Sequence, residues 1–220
     1  MAYQIPNIDL SFSRLLPRLI LASKSPARKA LLEASGCSVV AIPTNSDEYH
    51  GLIAGKEVVH YLAQKKLDAF LQTYGPAKIP ILAADTLVGY NGKLIGKAKS
   101  EAEAKEHISL LAGQTHSVFS GFSLWFPPSA HREAQHMSGS DETLVTFRNI
   151  DAEELITYIA SNDWLGAAGS YRIQGLANSF IIDVKGDYAT VVGLPIRAIS
   201  AILSAPGCLY NTEYPPEGEK

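Results

Sequence analysis

The chain has 220 residues, 46% hydrophobic and 19% charged, which excludes an intrinsically disordered or charge-rich fibrous protein and is enough chain to bury roughly 70% of its unfolded surface without metal or disulfide staples. A formal net charge of −3 excludes a broad basic surface for duplex nucleic acid but leaves room for a local basic pocket. No run approaches the ~18 consecutive apolar residues of a membrane span.

Residues 1–17 contain two prolines, one aspartate and one arginine and lack the charged start, apolar run and small-residue cleavage site of a secretory signal. They read as an N-terminal extension of a cytoplasmic protein. Cys37 and Cys208, far apart and in no metal-ligand spacing, fit free thiols in a reducing compartment. The short apolar run at 19–22 predicts a buried strand. Ser25 then sits as a helix N-cap with Pro26 at the first helical position, and the helix stops at Gly36. Residues 39–42 predict a second strand, and a polar stretch from Thr44 to Gly55 leads into a helix of about 18 residues that Gly75-Pro76 ends.

Residues 79–88 predict the most buried strand, followed by a two-residue turn at Asn91-Gly92 and a returning strand at 93–95. Ser100 and Glu103 form a capping box for a helix that Gly113 closes. Residues 117–126 predict a strand, 127–140 a loop, and 143–147 a further strand. Asp151 and Glu154 form a second capping box, flanked by Ile150 and Leu155 as a hydrophobic staple. The segment 164–194 is rich in glycine, with strands predicted at 180–182 and 190–192, and Pro195 starts a final helix. Residues 205–220, broken by Pro and Gly, read as a tail. The sum is mixed α/β, with a single domain over 18–204 and long connections where chemistry tends to sit.

Several segments carry candidate chemistry. Ser23-Lys24-Ser25-Pro26-Ala27-Arg28-Lys29 lies between a strand and a helix N-terminus, where backbone N–H groups, hydroxyls and cations suit a phosphate; an ordinary capped helix with solvated lysines is the plainer reading. Lys66 falls in the middle of the helical face formed by Val59, Leu62, Ala63 and Phe70. It either meets an anion there or runs its ammonium out to solvent. Asp85 interrupts the apolar run 81–84 and is followed by Thr86-Leu87-Val88. A carboxylate in a central strand needs a partner, a metal or an end to the strand just before it. Asp47-Glu48 lie in the polar loop and, with Asp85, offer oxygen ligands to a hard cation. Lys97 follows the hairpin, and Gln174, in Gly169-Ser-Tyr-Arg-Ile-Gln-Gly175, carries the donor and acceptor needed to read a base edge.

These segments together resemble the Maf family of nucleoside triphosphate pyrophosphatases. The blocks that carry the resemblance are LILASKSPARKALL from Leu19, Ala84-Asp85-Thr86 with Gly92 to Lys97, LAGQTH from Leu111 through Ser120-Gly121, and AGSYRIQG from Ala168 with Gly186-Asp-Tyr188 and VVGLP from Val191. The resemblance implies an elongated, two-lobed mixed sheet flanked by helices, Maf/ITPase-like, with a cleft between the lobes. It implies magnesium- or manganese-dependent hydrolysis of a nucleoside triphosphate to monophosphate and pyrophosphate, as nucleotide-pool house-cleaning. Carried onto this chain, Asp85 corresponds to the proton acceptor. Lys66, Lys97 and Glu48 join it as catalytic residues, Glu48 and Asp85 as metal ligands. Ser23, Ser25, Ala27, Arg28, Thr86 and Gln174 fall at substrate-binding positions. Thr86 and Gln174 match the branch that prefers dTTP and UTP, whereas Ala27 stands where that branch has arginine. A homodimer is compatible with the family. The alternatives are a pyrophosphatase for non-canonical purine triphosphates and a non-catalytic nucleotide-binding regulator of cell division.

Overall fold

The computed structural model describes residues 11–44, 55–130 and 132–205. A seven-stranded mixed sheet runs in the order β2 (Ser38–Ala41), β1 (Arg18–Leu21), β3 (Ile81–Tyr90), β5 (Thr115–Phe126), β6 (Gln135–Phe147) and β7 (Ile181–Lys185), with β4 (Lys93–Ile95) paired to β3. β1 is parallel to β2 and β3, and the remaining pairings are antiparallel. The helices are α1 (Phe12–Leu15), α2 (Pro26–Ala34), α3 (Gly55–Tyr74), α4 (Glu101–Leu111), α5 (Ala152–Ala160), α6 (Tyr188–Val192) and α7 (Ile196–Leu203). Among the described residues no helix is long and apolar enough to cross a membrane.

β3 holds the two lobes together. One of its edges is paired by β5 from Ile81 to Gly89. On the other edge β1 reaches only to Leu82 and β4 begins only at Val88, so among the described residues the strand edge between them is open. Leu82 and Ala84 belong to a core with Leu19, Leu21, Phe122, Leu194 and Ile199. Val88 belongs to a different core with Ile108, Val145, Phe147, Tyr158 and Trp164. Asp85, Thr86 and Leu87 lie where one core ends and the other begins, the kind of break in sheet pairing where ligands enter α/β folds.

Local chemistry explains most boundaries. The Ser25 hydroxyl accepts from the Arg28 N–H and Pro26 occupies N1. Asp151 and Glu154 close both bonds of their capping box, and Ile150 and Leu155 pack in the same core. At the first expected box only half forms: Ser100 accepts from Glu103 N–H, while the Glu103 carboxylate turns to the Lys99 N–H.

Two expected elements are corrected. The segment 127–140 is not all loop, because β6 starts at Gln135. Its polar run pairs with β5 and its side chains find partners there and on α3, Ser138 with His60 and His136 with Ser123, so no apolar alternation marks it. Residues 190–192 are the end of helix α6 rather than a strand. Asp187 caps its N-terminus, and Gly193, at φ +120°, ends it; this local capping overrides the strand preference of Thr-Val-Val. Part of the expected N-terminal extension is packed, since Phe12 and Leu16 are fully buried against the core that holds α7. Cys37 is a free, buried thiol whose pKa burial pushes up to about 12.

Candidate active site

A cavity of about 830 Å³ opens at the break in β3. Nine of the residues expected from the sequence line it: Ser23, Ser25, Ala27, Arg28, Lys66, Asp85, Thr86, Lys97 and Gln174. The tenth, Glu48, and its neighbour Asp47 lie outside the described residues.

Neighbouring strand residues point to opposite faces, and Asp85 and Thr86 divide the site accordingly. On the α3 face the Lys66 ammonium donates to Asp85 Oδ1, with side-chain exposures of 11% and 7%. Lys66 therefore meets an anion on the apolar face of α3 instead of reaching bulk solvent. A glycine makes this approach possible. Gly121 is the β5 partner of Asp85, and a Cβ there would lie 2.3 Å from the Val59 carbonyl oxygen. Only a bare backbone lets α3 settle so close, and Lys66 lies two helical turns on from Val59. Asp85 Oδ2 carries no hydrogen bond among the described residues.

On the other face Arg28 is braced. Its Nε donates to the Gly193 carbonyl at 2.7 Å, Nη1 to Ser23 Oγ at 3.1 Å and Nη2 to Thr86 Oγ1 at 2.9 Å. Thr86 Oγ1 lies 2.8 Å from Ser120 Oγ, which donates to the Thr190 carbonyl at 2.7 Å. Gly193 has to be glycine here: besides its positive φ, a Cβ would lie 3.1 Å from Thr86 Oγ1 and 3.3 Å from Arg28 Nε.

The far wall is the loop after α5. Gly169 N–H donates to the Gly96 carbonyl at 2.8 Å, and Lys97 bridges to Ala168. Tyr158 donates to the Ser170 carbonyl at 2.9 Å, and Ser170 Oγ pairs with His107 Nδ1 at 2.8 Å. Arg172 donates to the carbonyls of Asp163 and Leu165. Held this way, the loop presents Gln174 to the cavity with its Oε1 buried and without a hydrogen-bond partner among the described residues. A buried acceptor left unpaired is costly, and a ligand's N–H would satisfy it. Behind Tyr171, His116 is buried and its pKa is pushed down to about 4 by desolvation. Its Nε2 meets the Tyr171 hydroxyl at 2.8 Å, so it is a neutral packing group.

Ser120 and Gly193 were not singled out from the sequence, and Arg172 only as one of the cations, with Lys24 and Lys29, that could replace the charge absent at Ala27. The first two act through strand register and a backbone carbonyl, which leave no residue-type signal. Arg172 stood in view beside Gln174, and only the loop's path shows that its side chain braces that loop. Of these three cations, Lys24 and Arg172 line the cavity, while Lys29 pairs with Glu33 at 3.5 Å on the surface.

Metal chemistry can be tested against the donors present. Among the described residues no group of three or more His, Cys, Asp or Glu is arranged to hold a metal. Among the described residues two carboxylates line the cavity. Asp163 is engaged, accepting from Leu176 N–H at 2.9 Å and pairing with Arg172 at 3.7 Å. Asp85 offers Oδ2. One carboxylate with substrate phosphates and water is a donor set that magnesium commonly accepts, so the residues fit a cation that arrives with its nucleotide.

A model of the Maf-like protein family matches residues 18–205. The chain belongs to the Maf family. It is 40% identical to a dTTP/UTP pyrophosphatase of Maricaulis maris over 194 residues, 87% of this chain and 89% of that protein. It is 38% identical to a dTTP/UTP pyrophosphatase of Bacillus thuringiensis subsp. konkukian over 183 residues, 83% of this chain and 92% of that protein. A solved nucleoside-triphosphatase / dITP/XTP pyrophosphatase from Mycobacterium abscessus aligns over 84% of this chain and 93% of that one, at 13% identity and a TM-score of 0.38, a likeness too distant to bear on function. The Maf match spans all three walls of the cavity, from Ser23 to Gln174.

Proposed function

We propose that this chain hydrolyses nucleoside triphosphates, dTTP and UTP foremost, to the nucleoside monophosphate and pyrophosphate, acting on the cytoplasmic nucleotide pool. The observation that carries this reading is that one cavity joins a Lys66–Asp85 pair, a cationic helix start at Ser25 to Arg28, and the unpaired acceptor of Gln174. The names of its Maf relatives support the same reaction.

In this reading Ser23, Ser25, Arg28 and Lys97 hold the triphosphate, and Lys66 adds charge at the reacting phosphate. Gln174 Oε1 accepts from the N3–H of a uracil or thymine ring. Asp85 Oδ2 accepts a proton from a water that attacks the α-phosphorus. The α–β bridging P–O bond breaks, and its oxygen leaves on pyrophosphate. A divalent cation, held by Glu48 and the substrate's own phosphates, would neutralise phosphate charge when bound. Positioning and electrostatics supply most of the rate in such chemistry.

The test is a nucleotide panel with magnesium, assayed for pyrophosphate and orthophosphate together. Pyrophosphate in step with monophosphate, fastest from dTTP or UTP, supports the reading. Orthophosphate with a nucleoside diphosphate contradicts it, and a purine triphosphate as best substrate contradicts the assignment to pyrimidines.

A further inference from the structure

We propose that Ser120 is a positioning residue for this reaction: it sets the direction of the hydrogen bonds that hold Arg28 against the cavity. The inference rests on the reading of Arg28 as a triphosphate ligand. Ser120 is fully buried, is not among the described residues that line the cavity, and meets the site through Thr86 and Arg28.

The direction of each bond follows from counting protons. A serine hydroxyl has one proton to give, and a carbonyl oxygen can only accept. Ser120 Oγ lies 2.7 Å from the Thr190 carbonyl, so its proton goes there. Toward Thr86, 2.8 Å away, Ser120 then shows only lone pairs, and Thr86 must be the donor. With its proton so committed, Thr86 Oγ1 faces Arg28 Nη2 as an acceptor at 2.9 Å. The other acceptor in reach of Thr86 is the Gly193 carbonyl at 3.3 Å. Because Ser120 takes the Thr86 proton, that carbonyl is left to Arg28 Nε at 2.7 Å. The chain Arg28 → Thr86 → Ser120 → Thr190 carbonyl thus runs one way only.

The frame around it is rigid. Thr86 and Ser120 are register partners on β3 and β5. Both carbonyls belong to α6 and its cap, and Thr190 Oγ1 ties that helix to Asp141 at 2.7 Å. Ser120→Ala would leave the Thr190 carbonyl without its donor and turn the Thr86 proton toward Gly193, whose carbonyl then serves two donors, so that Thr86 Oγ1 is re-aimed relative to Arg28 Nη2.

Two readouts test this. In a double-mutant cycle, Ser120→Ala should lower kcat/KM for UTP roughly five- to tenfold, the scale of one hydrogen bond, mostly through KM. In an Arg28→Ala background the same change should have almost no further effect. An equal loss in both backgrounds would overturn the proposal, because a general structural defect would act whether or not Arg28 is present. The second readout is the nitrogen-15 NMR signal of the Arg28 Nε–H, which does not depend on turnover. Its exchange with solvent should be slow in the native chain and in Thr86→Ser, and at least tenfold faster in Ser120→Ala and Thr86→Val. Unchanged exchange in Ser120→Ala would also overturn it. Should Ser120→Ala fail to fold, Ser120→Cys, with its weaker thiol, should move both readouts in the same direction, and no movement there counts against the proposal. If the native chain releases no pyrophosphate, the enzymatic reading fails while the exchange readout still decides the role of Ser120.

Discussion

Asp85 and Thr86 are consecutive residues of one strand, yet they serve the cavity from opposite faces and in different ways. On the α3 face Asp85 meets Lys66 through Oδ1, and its Oδ2 has no hydrogen bond among the described residues. On the α2 face Thr86 is tied to Arg28 and Ser120, and Arg28 is tied in turn to Ser23 and Gly193. In the proposed reading the first face keeps an oxygen for a reacting group, while the second holds a cation in place. One break in the pairing of β3 gives access to both, so a single strand supplies reactivity and rigidity within two residues.

The comparison can be broken first at Asp85. Asp85→Asn keeps the shape and removes the proposed proton acceptor, and should lower kcat roughly 10²–10⁴-fold with little change in KM. Steady-state kinetics with UTP, alongside thermal unfolding to show that the variant folds, checks this. Near-native turnover in a folded variant would remove Asp85 from the chemistry. Arg28 should behave differently. Arg28→Lys keeps the charge but cannot reach three acceptors in one plane. It should cost roughly 10–100-fold in kcat/KM, chiefly by raising KM for triphosphate, with a smaller effect on the inhibition constant of the monophosphate.

A third experiment separates stability from activity in acid. Burial holds His116 neutral, with its pKa pushed down from 6.5 to about 4. Between those values the unfolded chain binds the proton and the folded chain does not, so stability from this group is full above pH 6.5 and lost as pH falls toward 4. The loss between pH 7 and pH 5 should be roughly 2 kcal/mol, measured by urea unfolding. His116→Phe should flatten that dependence, and an unchanged slope would assign it to other groups. With this contribution known, an acid limb in kcat can be assigned to the cavity. The smallest effect is expected at Ala27, which lines the cavity beside Arg28. Ala27→Arg should sharpen the preference for dTTP or UTP several-fold by adding a planar group of five donors. Equal kcat/KM ratios across the panel in both proteins would show that position 27 does not read the base.

The two faces were unequally legible in the sequence. Lys66 could be placed by helical periodicity and Asp85 by its interruption of an apolar run, because each violates a pattern that its neighbours set. The meeting of the two depends on Gly121, whose importance shows only once α3 lies across it. The bracing of Arg28 was not legible. It uses the carbonyl of Gly193, a register partner in β5, and a helix where Thr190 to Val192 resemble a strand. The sheet order was hidden for a similar reason: the first half of β6 is polar, and its pairing is compensated by side chains from α3 and β5. Capped helix starts, by contrast, were readable at Ser25 and Asp151, where local hydrogen bonds alone fix the boundary.

The central claim is that a water beside Asp85 attacks the α-phosphorus and that pyrophosphate leaves. Turnover of UTP in oxygen-18 water, with products resolved by mass spectrometry, tests it directly. The account predicts one heavy oxygen in each uridine monophosphate and none in pyrophosphate. Heavy oxygen in pyrophosphate, or in free orthophosphate, would place the attack at another phosphorus and contradict it.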